Sequence, residues 1–150
     1  MTVAVITGAA SGIGAGLARH AASLGMKLVL ADWDEKALQA VAQGLSTEVI
    51  AVPTDVRDEV AVKALADAAF EKFGAVDLLF NNAGVLSSGL VWEIDAATWE
   101  RSLDINIGGV VNVIRAFIPR MTAADRRSRI INTSSLGGFL TSPFMSPYSA

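Results

Sequence analysis

Short runs of apolar, largely β-branched residues alternate along this chain with longer stretches in which apolar positions recur every three or four residues. The runs at 3–7, 27–31, 48–52, 76–80 and 129–134 predict strands, and four of the five are close to continuously apolar. A strand that is apolar on both faces is buried on both, which predicts a parallel sheet covered by helices on either side. After the first strand, Ile13, Leu17, Ala21 and Leu24 fall on one helical face, and Gly25 follows where a C-terminal cap belongs. Asp34 is placed to cap a second helix reaching to about Leu45. Val62, Leu65, Ala66, Ala69, Phe70 and Phe73 give a third helix its apolar stripe before Gly74. Asp95 is placed to cap a long fourth helix over 96–121, closed by Pro119 and an arginine-rich loop. Strands alternating with helices through right-handed crossovers make a doubly wound α/β domain with a parallel sheet.

Composition narrows the picture. With 150 residues, 52% of them hydrophobic, the chain can bury one real core, and no internal repeat, low-complexity segment or linker divides it. No apolar run approaches the roughly 20 residues of a bilayer-spanning helix. Residues 1–7 lack the basic start and the length of a signal peptide, so the expected location is cytoplasmic. The absence of cysteine excludes disulfides, thiolate metal sites and a cysteine nucleophile, and agrees with a reducing compartment. A net charge of −3 gives no basic footprint for nucleic acid. Arg126, Arg127 and Arg129 form the sole basic cluster and read as a solvated loop. His20 falls on the polar face of the first helix, and nothing suggests a metal site.

The chemistry begins at TGAASGIG, Thr7 to Gly14, between the first strand and the first helix. A tight turn there leaves the first amides of the helix unpaired, and with the helix dipole they attract an anion such as phosphate. Glycine is required where φ is positive or where a side chain would keep the backbone from a pyrophosphate. Gly8, Gly12 and Gly14 suit those roles, and the Ser11 hydroxyl can cap the helix or touch the ligand. A glycine turn that merely packs tightly is the plainer reading, but the strand-turn-helix setting favours the dinucleotide one. No Walker lysine follows, which argues against a nucleoside triphosphate site. Asp32, at the end of the second strand, can accept hydrogen bonds from an adenosine ribose and would repel a 2′-phosphate. Asp34 is the better placed of the two to cap the second helix, which leaves Asp32 free. With no lysine or arginine adjoining Asp32 or inside the turn, NAD is expected over NADP.

The spacing Thr-Gly-x-x-x-Gly-x-Gly, followed by NNAG at 81–84, resembles the shorter, non-extended branch of the short-chain dehydrogenase/reductase family. Asp55 and Val56 after the third strand, NIGG at 106–109, and SSLGG at 134–138 followed by YSA at 148–150 match further family motifs in order. The resemblance runs the length of the chain and implies a Rossmann fold of strand order 3-2-1-4-5. It also implies that residues 1–150 form one dinucleotide-binding domain that is the N-terminal part of a longer domain. Its implied activity is NAD-dependent hydride transfer between nicotinamide and a secondary alcohol or ketone. Ile13 and Trp33 would join the glycines, Ser11 and Asp32 at the cofactor. Asp55 would hold the adenine amino group and Val56 line its pocket, while Asn82, Ala83 and Gly84 would pass beside the cofactor ribose and Asn81 serve structure.

The family places its serine thirteen positions before the tyrosine, which selects Ser135 over Ser134. Tyr148 would be the general acid or base, since hydride transfer at a carbinol carbon must be matched by proton transfer at its oxygen. A phenol is a poor base near neutrality unless positive charge adjoins it. Ser135 would hydrogen-bond the substrate oxygen, and Asn106 would hold a water leading to solvent. The plainer alternatives are ordinary loop residues for Ser135 and Tyr148 and a satisfied buried amide for Asn106.

The lysine of the family motif would fall at position 152, past Ala150, together with two further strands and the loop that closes over substrate. Residues 1–150 alone are therefore expected to be close to inactive, and poorly soluble or obligately associated. Family members commonly assemble as dimers or tetramers, so a homo-oligomer, notably a homotetramer, is expected. Leu86, Trp92, Phe139, Leu140, Phe144 and Met145 lie in the segments that border the family's site and hint at an apolar or aromatic alcohol. A dinucleotide-binding module without turnover is the competing reading; the retained pair Ser135 and Tyr148 argues against it.

Overall fold

A computed structural model describes residues 1–140 and 142–150. The strands are β1 (Val3–Thr7), β2 (Lys27–Asp32), β3 (Val49–Pro53), β4 (Leu78–Asn81) and β5 (Arg129–Asn132). They form one parallel sheet in the order β3-β2-β1-β4-β5, the doubly wound Rossmann arrangement. β1 lies at the centre, with Val5 beside Val29 of β2 on one flank and Leu79 of β4 on the other. Alternate residues of each strand serve opposite faces of the sheet. Val5, Val29 and Leu79 pack with α3 (Glu59–Phe73) and α5 (Val110–Ala123). Ala4, Ile6, Leu28 and Leu30 pack on the other face with α1 (Gly12–Ser23) and α2 (Glu35–Gln43).

The helix boundaries follow from local chemistry. The Asp34 side chain accepts the Ala37 amide, the Asp58 side chain those of Val60 and Ala61, and the Asp95 side chain that of Thr98; these cap α2, α3 and α4 (Ala96–Leu103). Gly74 ends α3 in the left-handed region, and Gly25 at φ +73° follows α1 in the same way.

Several expectations need correction. α1 buries Gly14, Ala15, Ala18 and Ala21, whereas Ile13 is 65% and Leu24 60% exposed. Small residues let this helix lie close against the sheet, so its buried face is the alanine and glycine stripe rather than the one carrying its bulkiest side chains. Nor is every strand buried throughout: β3 and β5 are the sheet edges, and their residues are half-buried or exposed. The long fourth helix is not one α-helix. α4 passes through a π-helical segment, Asp104–Gly109, into α5. Pro119 lies inside α5, which continues to Ala123; the missing N–H removes one ladder bond there without ending the helix. The basic cluster is only partly a free solvated loop, because Arg126 forms an ion pair with the buried Asp77, whose other oxygen accepts the Val3 amide at 2.8 Å.

After β5 comes a 3-10 turn, Leu136–Gly138, then the short α6 (Ser146–Ser149). Since all strands are parallel, the segments leaving β1, β2, β4 and β5 converge at one end of the sheet. The chain departs in opposite directions from β1 and β4, and such a crevice is where doubly wound sheets bind ligands.

Candidate active site

A cleft of about 860 Å³ opens at that end of the sheet. The residues carried by the sequence motifs line it: Gly8, Ser11, Gly12, Ile13, Gly14, Asp32, Trp33, Asp55, Val56, Asn82, Ala83, Gly84, Asn106, Ser135 and Tyr148.

The floor is the glycine turn. Gly8 at φ +67° and Gly12 at φ +49° adopt backbone that favours glycine, and a Cβ on Gly14 would stand 2.0 Å from the Gly8 carbonyl oxygen. A Cβ on Gly12 would meet only open space. Ser11 precedes α1 without a side-chain capping bond, so its hydroxyl is not committed to the helix. An open glycine turn at a helix N-terminus, with unpaired first amides and a free hydroxyl, fits a pyrophosphate.

Asp32 does more than stand free at the end of β2. Its Oδ2 accepts the Ala10 amide of the glycine turn at 3.0 Å, and its Oδ1 accepts the Asp34 amide at 3.1 Å. A carboxylate has acceptor capacity beyond two bonds, so it can still receive a ribose hydroxyl. Trp33, beside it, is exposed.

Asp55 is engaged by a neighbour that sequence reasoning gave no role. The Arg57 Nε donates to both Asp55 oxygens at 3.0 Å, and its Nη2 adds a further bond. That guanidinium, chiefly by side-chain hydrogen bonding, holds the Asp55 carboxyl below its ordinary value against the opposing effect of burial. Val56 is buried, and its Cγ2 stands 2.5 Å from where a Cβ on Gly109 would be, so the absent side chain lets the π-helical segment approach the β3–α3 loop.

The buried Asn81 donates through Nδ2 to the Val110 carbonyl at 3.1 Å. Asn106 uses both ends of its amide on Val85: Oδ1 accepts the Val85 amide at 2.8 Å, and Nδ2 donates to the Val85 carbonyl at 2.9 Å. The half-buried side chain therefore pins the segment after Gly84. At the far end, Ser135 Oγ accepts the Gly137 amide at 3.1 Å. A Cβ on Gly137 would lie 3.1 Å from the Tyr148 ring and 3.4 Å from Ser135 Oγ, so serine and tyrosine flank the same glycine. Beside Tyr148, the Ser149 hydroxyl is buried and has no hydrogen-bond partner among the described residues.

Thr7, Thr133, Arg57 and Arg101 are the notable additions. Thr133 and the two arginines line the cleft, and Thr7 lies buried just beneath it. A hydroxyl residue at or just past the C-terminal end of a strand was the available signal for the two threonines. Of the apolar residues expected at the substrate end, Leu86 lines the cleft. Trp92, Phe139, Leu140 and Phe144 are exposed, and Met145 pairs with Gly89 in a β-bridge. Among the described residues, no helix is long and apolar enough to cross a membrane, and no cluster of three potential metal ligands occurs.

A parallel sheet with a glycine turn at its topological switch point defines a doubly wound nucleotide-binding type of protein. The chain belongs to the short chain dehydrogenase family, whose sequence model matches residues 2–150. It is 39% identical over 151 residues to a CLA biosynthesis dehydrogenase/reductase of Lactiplantibacillus plantarum, covering 99% of this chain and 53% of that protein. A short chain dehydrogenase/reductase of Burkholderia phymatum, solved in complex with NAD, superposes with a TM-score of 0.96 at 49% identity over 99% of this chain and 54% of that one. A 3-ketoacyl-(acyl-carrier-protein) reductase of Brucella melitensis, complexed with NADH, gives a TM-score of 0.94 at 34% identity, covering 99% and 63%. The chain thus spans little more than half the length of such relatives.

Proposed function

We propose that the chain forms the cofactor-binding part of a cytoplasmic, homo-oligomeric NAD-dependent oxidoreductase that interconverts a secondary alcohol and a ketone. One observation carries this reading: the glycine turn at the start of α1 lines the same cleft as Ser135 and Tyr148, which flank Gly137. NAD-bound and NADH-bound relatives of the same fold support it.

Gly8, Ser11, Gly12, Ile13 and Gly14 would hold the pyrophosphate, and Asp32 and Trp33 the adenosine ribose end. Asp55 and Val56 would border the adenine, and Asn82, Ala83 and Gly84 the second ribose. Asp32 disfavours a 2′-phosphate by charge, hence NAD over NADP. When bound, a nicotinamide dinucleotide supplies the ring that gives or takes hydride. The Ser135 hydroxyl would donate to the substrate oxygen and stabilise charge developing there. The Tyr148 phenol would deliver a proton to that oxygen in reduction and remove it in oxidation. Asn106 would hold a water leading to solvent, while its amide, bonded at both ends to Val85, fixes the wall of the cleft. The apolar residues of the bordering loops, Leu86 and Phe144 among them, suit an apolar or aromatic substrate.

The test is a nucleotide titration of the intact protein, followed by turnover of a panel of secondary alcohols with NAD and NADP, alongside Tyr148→Phe and Ser135→Ala. Removal of an acid-base group is expected to lower turnover by about 100-fold or more while leaving NAD affinity near wild type. Near wild-type turnover by Tyr148→Phe would overturn the assigned chemistry. Tight NAD binding without turnover of any alcohol would favour a binding module instead.

A further inference from the structure

The geometry points to Thr133 as a positioning residue that ties the segment carrying Ser135 to the glycine turn through a single side-chain amide. The inference rests on the dinucleotide reading of the cleft. Thr133 lies just past β5, where its N–H donates to the Asn81 carbonyl at 3.0 Å and extends the β4–β5 ladder. Its hydroxyl donates to Asn82 Oδ1 at 3.1 Å. The other end of that amide, Nδ2, donates to the Thr7 carbonyl at 3.1 Å. The same nitrogen stands 3.1 Å from where a Cβ on Gly8 would be and 2.9 Å from one on Gly14, so the carboxamide occupies the space beneath the turn. Thr7 Oγ1, on a fully buried residue, accepts the Asn82 and Ala83 amides at 3.0 and 3.1 Å.

Asn82 therefore links the ends of three strands, and its orientation is determined. The Thr7 carbonyl can only accept, so the nitrogen must face it. The oxygen is then left for Thr133, which must donate. In the open cleft water can replace that hydroxyl. A dinucleotide lying over the cleft excludes water, and a missing donor then leaves the Asn82 oxygen unpaired. The Thr133 hydroxyl consequently matters most in the bound state. Standing two positions before Ser135, it also sets where the serine lies relative to the turn.

Thr133→Val keeps the shape and removes the donor; Thr133→Ser keeps the donor. NAD dissociation constants are read by calorimetric titration, and unfolding temperatures are read without nucleotide. Thr133→Val is expected to weaken NAD binding by about three- to ten-fold, the range of one hydrogen bond. Its unfolding temperature should stay near wild type, and Thr133→Ser should restore affinity. Wild-type affinity in Thr133→Val, or equal weakening in Thr133→Ser, would overturn the role of the hydroxyl alone. A wild-type protein that binds no dinucleotide would overturn both this role and the reading of the cleft.

Discussion

Replacing Asp32 by alanine tests how the glycine turn is held in place. The carboxylate bonds the Ala10 amide at 3.0 Å and the Asp34 amide at 3.1 Å, so truncation removes two acceptors at once. A hydrogen bond to a charged group contributes about 1.5–3 kcal/mol. The bond to the Asp34 amide is solvent-exposed and water can take its place, whereas the bond to Ala10 is partly buried. The net loss is therefore set mainly by the Ala10 bond, at about 1–2 kcal/mol, equivalent to a fall in Tm of roughly 2–8 °C for a domain of this size. Circular dichroism melting without nucleotide measures it. Asp32→Asn keeps an acceptor for Ala10 and should recover at least half of the fall. In nucleotide titrations, both variants should narrow the preference for NAD over NADP, since both remove the charge. If Asp32→Ala melts with the wild type while its NAD affinity drops, Asp32 is a ligand contact only, and the turn is held by other means.

Two further outcomes follow from the same geometry. Gly14→Ala would bring its Cβ to 2.0 Å from the Gly8 oxygen and is expected to destabilise the fold by roughly 3 kcal/mol or more; a denaturant midpoint close to wild type would contradict the tightness of the turn. Asp55 is held below the ordinary carboxyl value of 3.8, first by the Arg57 hydrogen bonds, so its contribution to stability is present above that pH and is lost as pH falls through the lower folded value. Arg57→Gln should flatten this acid limb in pH-dependent unfolding, and an unchanged limb would mean that the pair contributes nothing measurable in solution.

The sheet was legible because β1 and β2 are apolar at every position or nearly so, and only two-sided burial explains that pattern. The residues that motif spacing singles out line one cleft. What spacing could not convey was how each side chain is employed. Asn106 turns both ends of its amide to Val85, Asp32 hooks the turn, and Asp55 is occupied by Arg57, because hydrogen-bond partners depend on loops whose paths are set in three dimensions. The face of α1 was misread for a related reason. Periodicity weighs bulky apolar residues most, yet a helix lying close to a sheet selects its smallest ones, Gly14, Ala15, Ala18 and Ala21.

The position of β1 in the middle of an all-parallel sheet also bears on how the chain reaches this state. Pairing Val3 with Lys27 closes a short stretch of chain, whereas pairing Ala4 with Leu78 closes one about three times longer. The longer closure carries about 1 kcal/mol more entropy loss, and no hairpin can bypass it because parallel neighbours must be joined by crossovers. The half containing β1, β2 and β3 is thus expected to assemble first and to wait, with one flank of β1 unpaired, for β4. During synthesis that flank emerges from the ribosome well before its partner, which makes the interval before β4 arrives the period of greatest exposure to aggregation.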